Sequence, residues 1–525
     1  MVGQLDAQGA EMKARHLLPL LSLALLAVSL GASASAHVGS PEIFFDGDAG
    51  PYKVLVSIRP PDVVPGIAQI SVRVDDADAP RVTLQPVYFS TGGDGAPRPD
   101  EAQAVKGDPG SFKGQLWLME FGSSSVRVGI DGERGPGEVI VPVPAIATAR
   151  RGIDAKLGIL LGGLGLFLLA GAIALVGASV RESLVAPGEP VRTPDRRRAR
   201  KVMALTAIFF AATLFLGNRW WTSVDGAYLR NMFTPIRLSA AARVEPSGRV
   251  LNLALEDPGW RNRRADDLVP DHGKLIHMFL MREPALEAFA HLHPVRVGST
   301  SFDAPLPAAM PEGRYRVYAD VVHENGLTET LTASIDVPSP PQAARETSAR
   351  GQYDPDDSSF VGSPAGPASK LSDGSVMIWA RESGAALKAE QLTTLLFSVH
   401  APDGKPAKLE SYMGMGGHAA IAREDGSVFV HLHPSGTVSM AAQQAFSEKA
   451  RPGTEGRASK SAADHTDHAG GAKEGEQASM SAHYVNETGA ISFPYSFPKP
   501  GEYRIWVQVK REGRVLTGVF GAQVQ

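Results

Sequence analysis

A chain of 525 residues with 43% hydrophobic side chains has room for three or four domains with real cores. Its net charge of −4 gives no reason to expect a nucleic-acid partner. It has no cysteine, which excludes disulfides, thiolate zinc sites, iron–sulfur clusters and cysteine nucleophiles together. Any metal site must draw on His, Met, carboxylates or backbone.

Residues 1–36 read as an export signal. Lys13 and Arg15 supply the positive start, Leu17 to Leu30 the apolar run, and Ala34-Ser35-Ala36 the small-residue cleavage site, with Met12 as an alternative start. Cleavage after Ala36 makes His37 the mature N-terminus, where an amine and an imidazole together suit copper. Positions 38–150 contain no second His to complete such a brace. Residues 37–150 are expected to form an N-terminal immunoglobulin-like β-sandwich. Short β-rich runs such as Tyr52 to Ile58, Ile67 to Val74 and Val82 to Phe89 alternate there with Gly- and Pro-containing turns.

Two apolar segments follow. Residues 154–180 contain Leu157 to Val180, a run without a charge that is long enough to span a bilayer. Small residues at Gly158, Gly162, Ala170, Ala174 and Ala178 suit close helix packing. Residues 202–221 form a second span ending in Trp220 and Trp221. Between them, residues 181–201 hold seven basic residues, the signature of a cytoplasmic loop. The expected architecture is a transmembrane hairpin in a bacterial inner membrane, with both the N- and C-terminal domains in the periplasm.

Residues 232–338 read as a second β domain, 339–370 as a Pro/Ser/Gly/Asp-rich linker and 371–525 as a third β domain. Residues 444–482 interrupt the third with a polar stretch too poor in large apolar groups to order itself. The closing strands Tyr315 to Val322 and Tyr503 to Lys510 match in pattern, which argues for duplication of a whole sandwich. The fold class expected is mainly β: three immunoglobulin-like sandwiches plus the two-helix membrane hairpin.

The duplicated domains share a histidine motif. His277 is followed 14 residues later by His291-Leu292-His293-Pro294, and His418 is followed 13 residues later by His431-Leu432-His433-Pro434. In the second copy Asp425-Gly426 is a strong two-residue hairpin signal. With that turn, Glu424 faces Ser427 and His418 falls opposite His433. His431 shares the face, because side chains alternate with period two. In the first copy a five-residue loop, Glu283 to Glu287, sets His277 opposite His293. Three imidazoles per hairpin make a three-nitrogen site with an open position, suited to zinc, copper, iron or nickel. Each trio is expected to hold its own ion within its own sandwich. Further candidates are Asp320 and His323 from a neighbouring strand, and Met413 and Met415, whose sulfurs favour copper(I). His272, in a loop just before its strand, and His400, at the end of a strand before Ala401-Pro402-Asp403-Gly404, are left out.

The export signal with Ala36-His37-Val38, the Gly50-Pro51-Tyr52 run and the sandwich pattern resemble bacterial YtkA-like domains and, more loosely, CopC-like copper-resistance proteins. The resemblance implies a periplasmic sandwich and copper as the metal, with zinc the alternative. The function expected is copper delivery, storage or resistance by a membrane-anchored protein docking with other envelope or metal-handling proteins. A rival is a metal-free structural or assembly protein in which the His trios only staple each hairpin. A zinc-dependent hydrolase is a third reading, for which no Glu or Asp base can be placed beside either trio.

Overall fold

A computed structural model describes residues 42–525 apart from 76–80, 187, 247, 262, 341–353, 382–385 and 451–484. The export signal, His37 and the body of the 444–482 insertion lie outside the described residues. Six antiparallel sheets are built from the described strands, and each of three hydrophobic clusters is enclosed by two of them. The alternation that marks these strands in sequence is the alternation of burial. In Gly66–Val74, residues Ala68, Ile70, Val72 and Val74 face the first core while the residues between them face outward.

Two helices, Ala155–Glu182 and Thr193–Asn231, are long and apolar enough to cross a membrane. Asp154 caps the first, accepting hydrogen bonds from the Lys156 and Leu157 N–H groups. Side chains such as Phe167 and Leu166 point away from protein, 73% and 69% exposed, as lipid-facing residues would. The helices approach closely at Gly177, where an added Cβ would lie 2.4 Å from Met203 Sδ; at Gly162 it would meet open space, and at Gly158 only Ile153 just before the same helix, at 3.8 Å. The second helix is longer than the expected 202–221. It begins at Thr193 with Pro194 in its first turn, so most of the basic stretch is helical and the connection between helices shortens to Ser183–Arg192. Its far end is tied to the first sandwich by Tyr228, whose hydroxyl donates to Ala149 O, and by the Arg150–Asp225 ion pair.

The second and third sandwiches repeat one plan. The hairpin His277–Arg282/Ala288–Leu292 corresponds to His418–Arg423/Phe429–Leu432. In each, the first hairpin strand pairs on its other side with a long third strand, Gly313–His323 or Gly501–Arg511. The expected linker is more than a tether: Ser358–Val361 adds a strand to the second sandwich beside Ala288–Leu292, and Ala368–Lys370 opens the third. The insertion also begins differently from its composition. Residues 444–449 complete a helix, Met440–Lys449, capped by Ser439. Its Phe446 packs edge-on against Phe89 of the first sandwich at 5.6 Å. A polar stretch becomes ordered here because a distant domain supplies its apolar partner. The first and third sandwiches are also stitched together by backbone. Thr437 N–H donates to Phe44 O and Asp46 N–H to Ser435 O, with Phe44 in the third core and Val438 in the first.

Candidate metal centre

Strand register sets the geometry. Met278 pairs with Leu292 and Ala419 with Leu432, so His277 lies across from His293 and His418 across from His433. The ring centroids of those pairs are 5.1 and 5.0 Å apart. The second hairpin turns through Gly426 at φ +73°, a conformation that costs a residue with a Cβ.

The two hairpins do not serve separate sandwiches. They face each other across an approximate two-fold axis, and their rings form one cluster. His277 is 5.4 Å from His431, His291 is 5.6 Å from His431, and His291 is 6.3 Å from His418, all between centroids. The symmetry is visible in matched contacts. Phe289 of the first hairpin stacks on Trp506 of the third sandwich at 4.7 Å, and Phe429 of the second stacks on Tyr318 of the second sandwich at 4.1 Å. His291 Nδ1 meets Gln508 Oε1 at 2.9 Å, while His431 Nδ1 meets Asp320 Oδ2 at 3.3 Å. Asp320 and Gln508 hold the same place in their third strands, opposite His277 and His418 respectively.

A seventh ring enters from a turn. Asp271-His272-Gly273-Lys274 closes with reciprocal backbone bonds between residues 271 and 274, as Tyr412-Met413-Gly414-Met415 does between 412 and 415. His272 and Met413 occupy the same position with φ of +52° and +50°. His272 lies 5.7 Å from His418 and 5.0 Å from His433. Ligand nitrogens within 4.8 Å of one another therefore group as His277, His291 and His293 on one side, and as His272, His418 and His433 on the other. His431, expected with His418 and His433, stands between the two groups. The signal for His272 was its matching offset before His277, masked because its counterpart is Met413 rather than a histidine.

Hydrogen bonds fix the tautomers. A carbonyl or carboxylate oxygen only accepts, so the ring nitrogen facing it must carry the proton. His277 Nε2 donates to Asp271 O at 3.1 Å, His291 Nδ1 to Gln508 Oε1, His293 Nδ1 to Asp357 Oδ1 at 2.9 Å and His433 Nδ1 to Val438 O at 3.3 Å. Each neutral ring then turns a bare lone pair inward. His277 Nδ1 and His291 Nε2 face each other at 3.3 Å, lone pair to lone pair. Nε2 of His272, His293, His431 and His433, and both nitrogens of His418, are buried without a hydrogen-bond partner among the described residues. Burial, reinforced by the neighbouring rings, holds His291, His293, His418, His431 and His433 well below the ordinary imidazole pKa, so the lone pairs are free at neutral pH. Loss of solvent pushes the outer acids up, Asp320 to about 6 and Asp357 to about 7. Outer groups that accept from one ring nitrogen while the other points inward are how proteins orient imidazole ligands.

The remaining candidates fall elsewhere or play other parts. Asp320 is an outer partner of His431. Asp354 and Asp357 group with His293, but both Asp354 oxygens are engaged by Lys274 Nζ at 2.7 and 2.6 Å. Met413 is half-buried in its turn and Met415 is buried, closing that turn. His323 belongs to a different network, since its strand end is occupied by Asp267 and Glu329, with Arg263 bridging Glu329 to Asp257. Burial alone would lower the His323 pKa, but hydrogen bonds to the two acids outweigh it and raise it to about 9. That pKa lies above the unfolded value of about 6.5, so the stabilisation is complete below about pH 6.5 and is lost as pH climbs through about 9. Against His323→Gln, wild type should lose up to about 3 kcal/mol of its advantage across that window. Melting curves of both proteins from pH 6 to 9.5 measure it, and parallel curves would refute it.

The domain family described as Domain of unknown function (DUF8832) matches residues 372–525, the third sandwich with its hairpin. No curated protein matches the chain. Among solved structures, a tetra-tandem repeat from the extending region of a large adhesion protein overlaps 89% of this chain and 72% of its own at 9% identity and a TM-score of 0.14. A putative membrane anchored protein from Corynebacterium diphtheriae overlaps 92% and 95% at 8% identity and a TM-score of 0.14. At such scores the fold assignment rests on the sheets themselves.

Proposed function

We propose that this chain is a membrane-anchored periplasmic protein that binds a transition metal, copper first and zinc second, in the histidine cluster between its second and third sandwiches. The observation that carries the reading is the set of inward, unpartnered lone pairs on neutral imidazoles whose other nitrogens are held by outer acceptors. Without a cation, His277 and His291 oppose lone pairs at 3.3 Å, and His418 is buried with neither nitrogen bonded. A metal ion turns both liabilities into bonds. Imidazole donors suit copper and zinc alike. The resemblance to copper-handling sandwiches favours copper, in delivery, storage or resistance. The stapling alternative asks each ring to find a hydrogen-bond partner for both polar atoms, and His418 finds none.

Calorimetric titration of the detergent-solubilised full chain with Cu(I), held under reductant, and with Zn(II) tests this. Tight saturable binding is expected, and affinity no better than micromolar for both ions would overturn it. Orientation is tested separately, because seven basic residues, most of them in the first turns of the second helix, stand between the apolar stretches of the two membrane-length helices. Reporter fusions at Pro190 and Gly362 should report opposite sides of the membrane, and the same side for both would sink the hairpin topology.

A further inference from the structure

We propose that the cluster holds two metal ions, and that His272 of the second sandwich crosses over to complete the second ion's site with His418 and His433. This rests on the metal-binding reading above. It adds the number of ions, the identity of a ligand, and a consequence for the pair of domains.

Two groups of three nitrogens satisfy the spacing, and they share no residue: His277, His291 and His293, and His272, His418 and His433. Tetrahedral bonds of about 2.0–2.1 Å set ligand nitrogens roughly 3.3 Å apart. His277 Nδ1 and His291 Nε2 already have that separation, at 3.3 Å. One tetrahedral ion cannot take both groups, since six imidazoles exceed its four positions and only within each trio do all the ligand nitrogens lie within 4.8 Å of one another. Within the second group His272 is no bystander. Its ring is edge-on to both His418 and His433, its side chain is 2% exposed, and its Nε2 is buried without a hydrogen-bond partner.

The crossing follows from the approximate two-fold axis. The turn before each hairpin reaches toward the opposite sandwich. Tyr412 of the third sandwich lies with its hydroxyl 3.5 Å from His291 Nδ1, and it donates to Asp356 O. Asp271, its counterpart, accepts from Ala441 N–H of the third sandwich. His272 therefore reaches the opposite hairpin by the same geometry. The counterpart of His272 is Met413, so the two turns are chemically unequal: an imidazole in one stands where the other has a thioether. Filling the second site ties residues of both sandwiches to one ion, so the ion fastens the domain pair.

The test is a stoichiometric Zn(II) titration of the full chain in detergent, with bound metal counted by mass spectrometry under non-denaturing conditions. Wild type should bind two ions. His272→Ala should bind one, with the second weakened by about 100-fold or more, since even loss of an outer partner costs about 10–100-fold. His291→Ala should lose the other ion and keep the one at His272. With Cu(II), wild type should show a magnetically coupled pair in its paramagnetic resonance spectrum, and either variant an isolated centre. A single ion in wild type, or two ions of unchanged affinity in His272→Ala, would overturn the proposal while leaving metal binding intact. No ion in wild type would overturn the metal reading itself. Should His272→Ala fail to fold, His272→Gln and His272→Met carry the same comparison, and retention of two ions by both would be equally decisive against it.

Discussion

Replacing His418 by leucine should raise the melting temperature of the metal-free protein and lower that of the metal-loaded one. His418 is fully buried, with neither ring nitrogen bonded, and is walled by Tyr412 at 4.9 Å, His433 at 5.0 Å and His431 at 5.3 Å. A buried polar group without a partner costs about 1–3 kcal/mol, and leucine fills comparable space without that penalty. The metal-free variant should therefore gain about 1–2 kcal/mol, a rise of roughly 2–8 °C. Metal reverses the order. An ion at about 1,000 times its dissociation constant stabilises the folded state by about 4 kcal/mol, and the variant forfeits the share due to the ion bound through His418. Melts of both proteins with chelator and with excess Zn(II) would expose the crossover. A variant less stable than wild type under both conditions would mean that His418 is a satisfied structural residue, and the argument from its bare nitrogens would fail.

The local half of this centre was legible in the sequence. The turn closes one residue earlier than the expected Asp425-Gly426 pair, with Gly426 N–H donating to Arg423 O, yet the expected register holds and sets His418 across from His433. What escaped was the encounter of the two hairpins, because no local pattern encodes a contact between residues more than 120 positions apart. A trace of it was present. The strand His277–Arg282 is apolar on both faces, and one face belongs to its own core. The other is where Phe279 meets Phe429 of the opposite hairpin at 5.2 Å. His272 escaped for a related reason. Its turn is a repeat element, but divergence to Met413 in the other copy hid the repeat, and its target histidines lie in the other sandwich. The helix Met440–Lys449 escaped because the surface that orders Phe446 belongs to the first sandwich. In each case the missing information was the partner surface, not the local preference of the chain.

The contact that brings the hairpins together is itself open to test. Trp506 is fully buried and stacks on Phe289 at 4.7 Å and 12° between planes. It stands two residues from Gln508 on the same face of the third strand, and Gln508 fixes the tautomer of His291. Trp506→Ala should cost about 3–5 kcal/mol, the usual range for emptying a large aromatic site. The loss should not stop at stability. With the wall gone the two hairpins can separate, so metal affinity should fall although every histidine remains. Trp506→Phe, which keeps a ring to stack, should recover most of that affinity. Trp379→Ala supplies the contrast: Trp379 is 4% exposed and packs against Phe397 at 5.8 Å within the third core, in the sheet that does not carry the hairpin. It should destabilise the protein comparably and leave metal affinity unchanged at temperatures where the variant stays folded. Equal weakening of metal binding by the two alanine variants would show that affinity follows overall stability alone. Weakening confined to Trp506→Ala would tie the centre to the face-to-face packing of the two sandwiches.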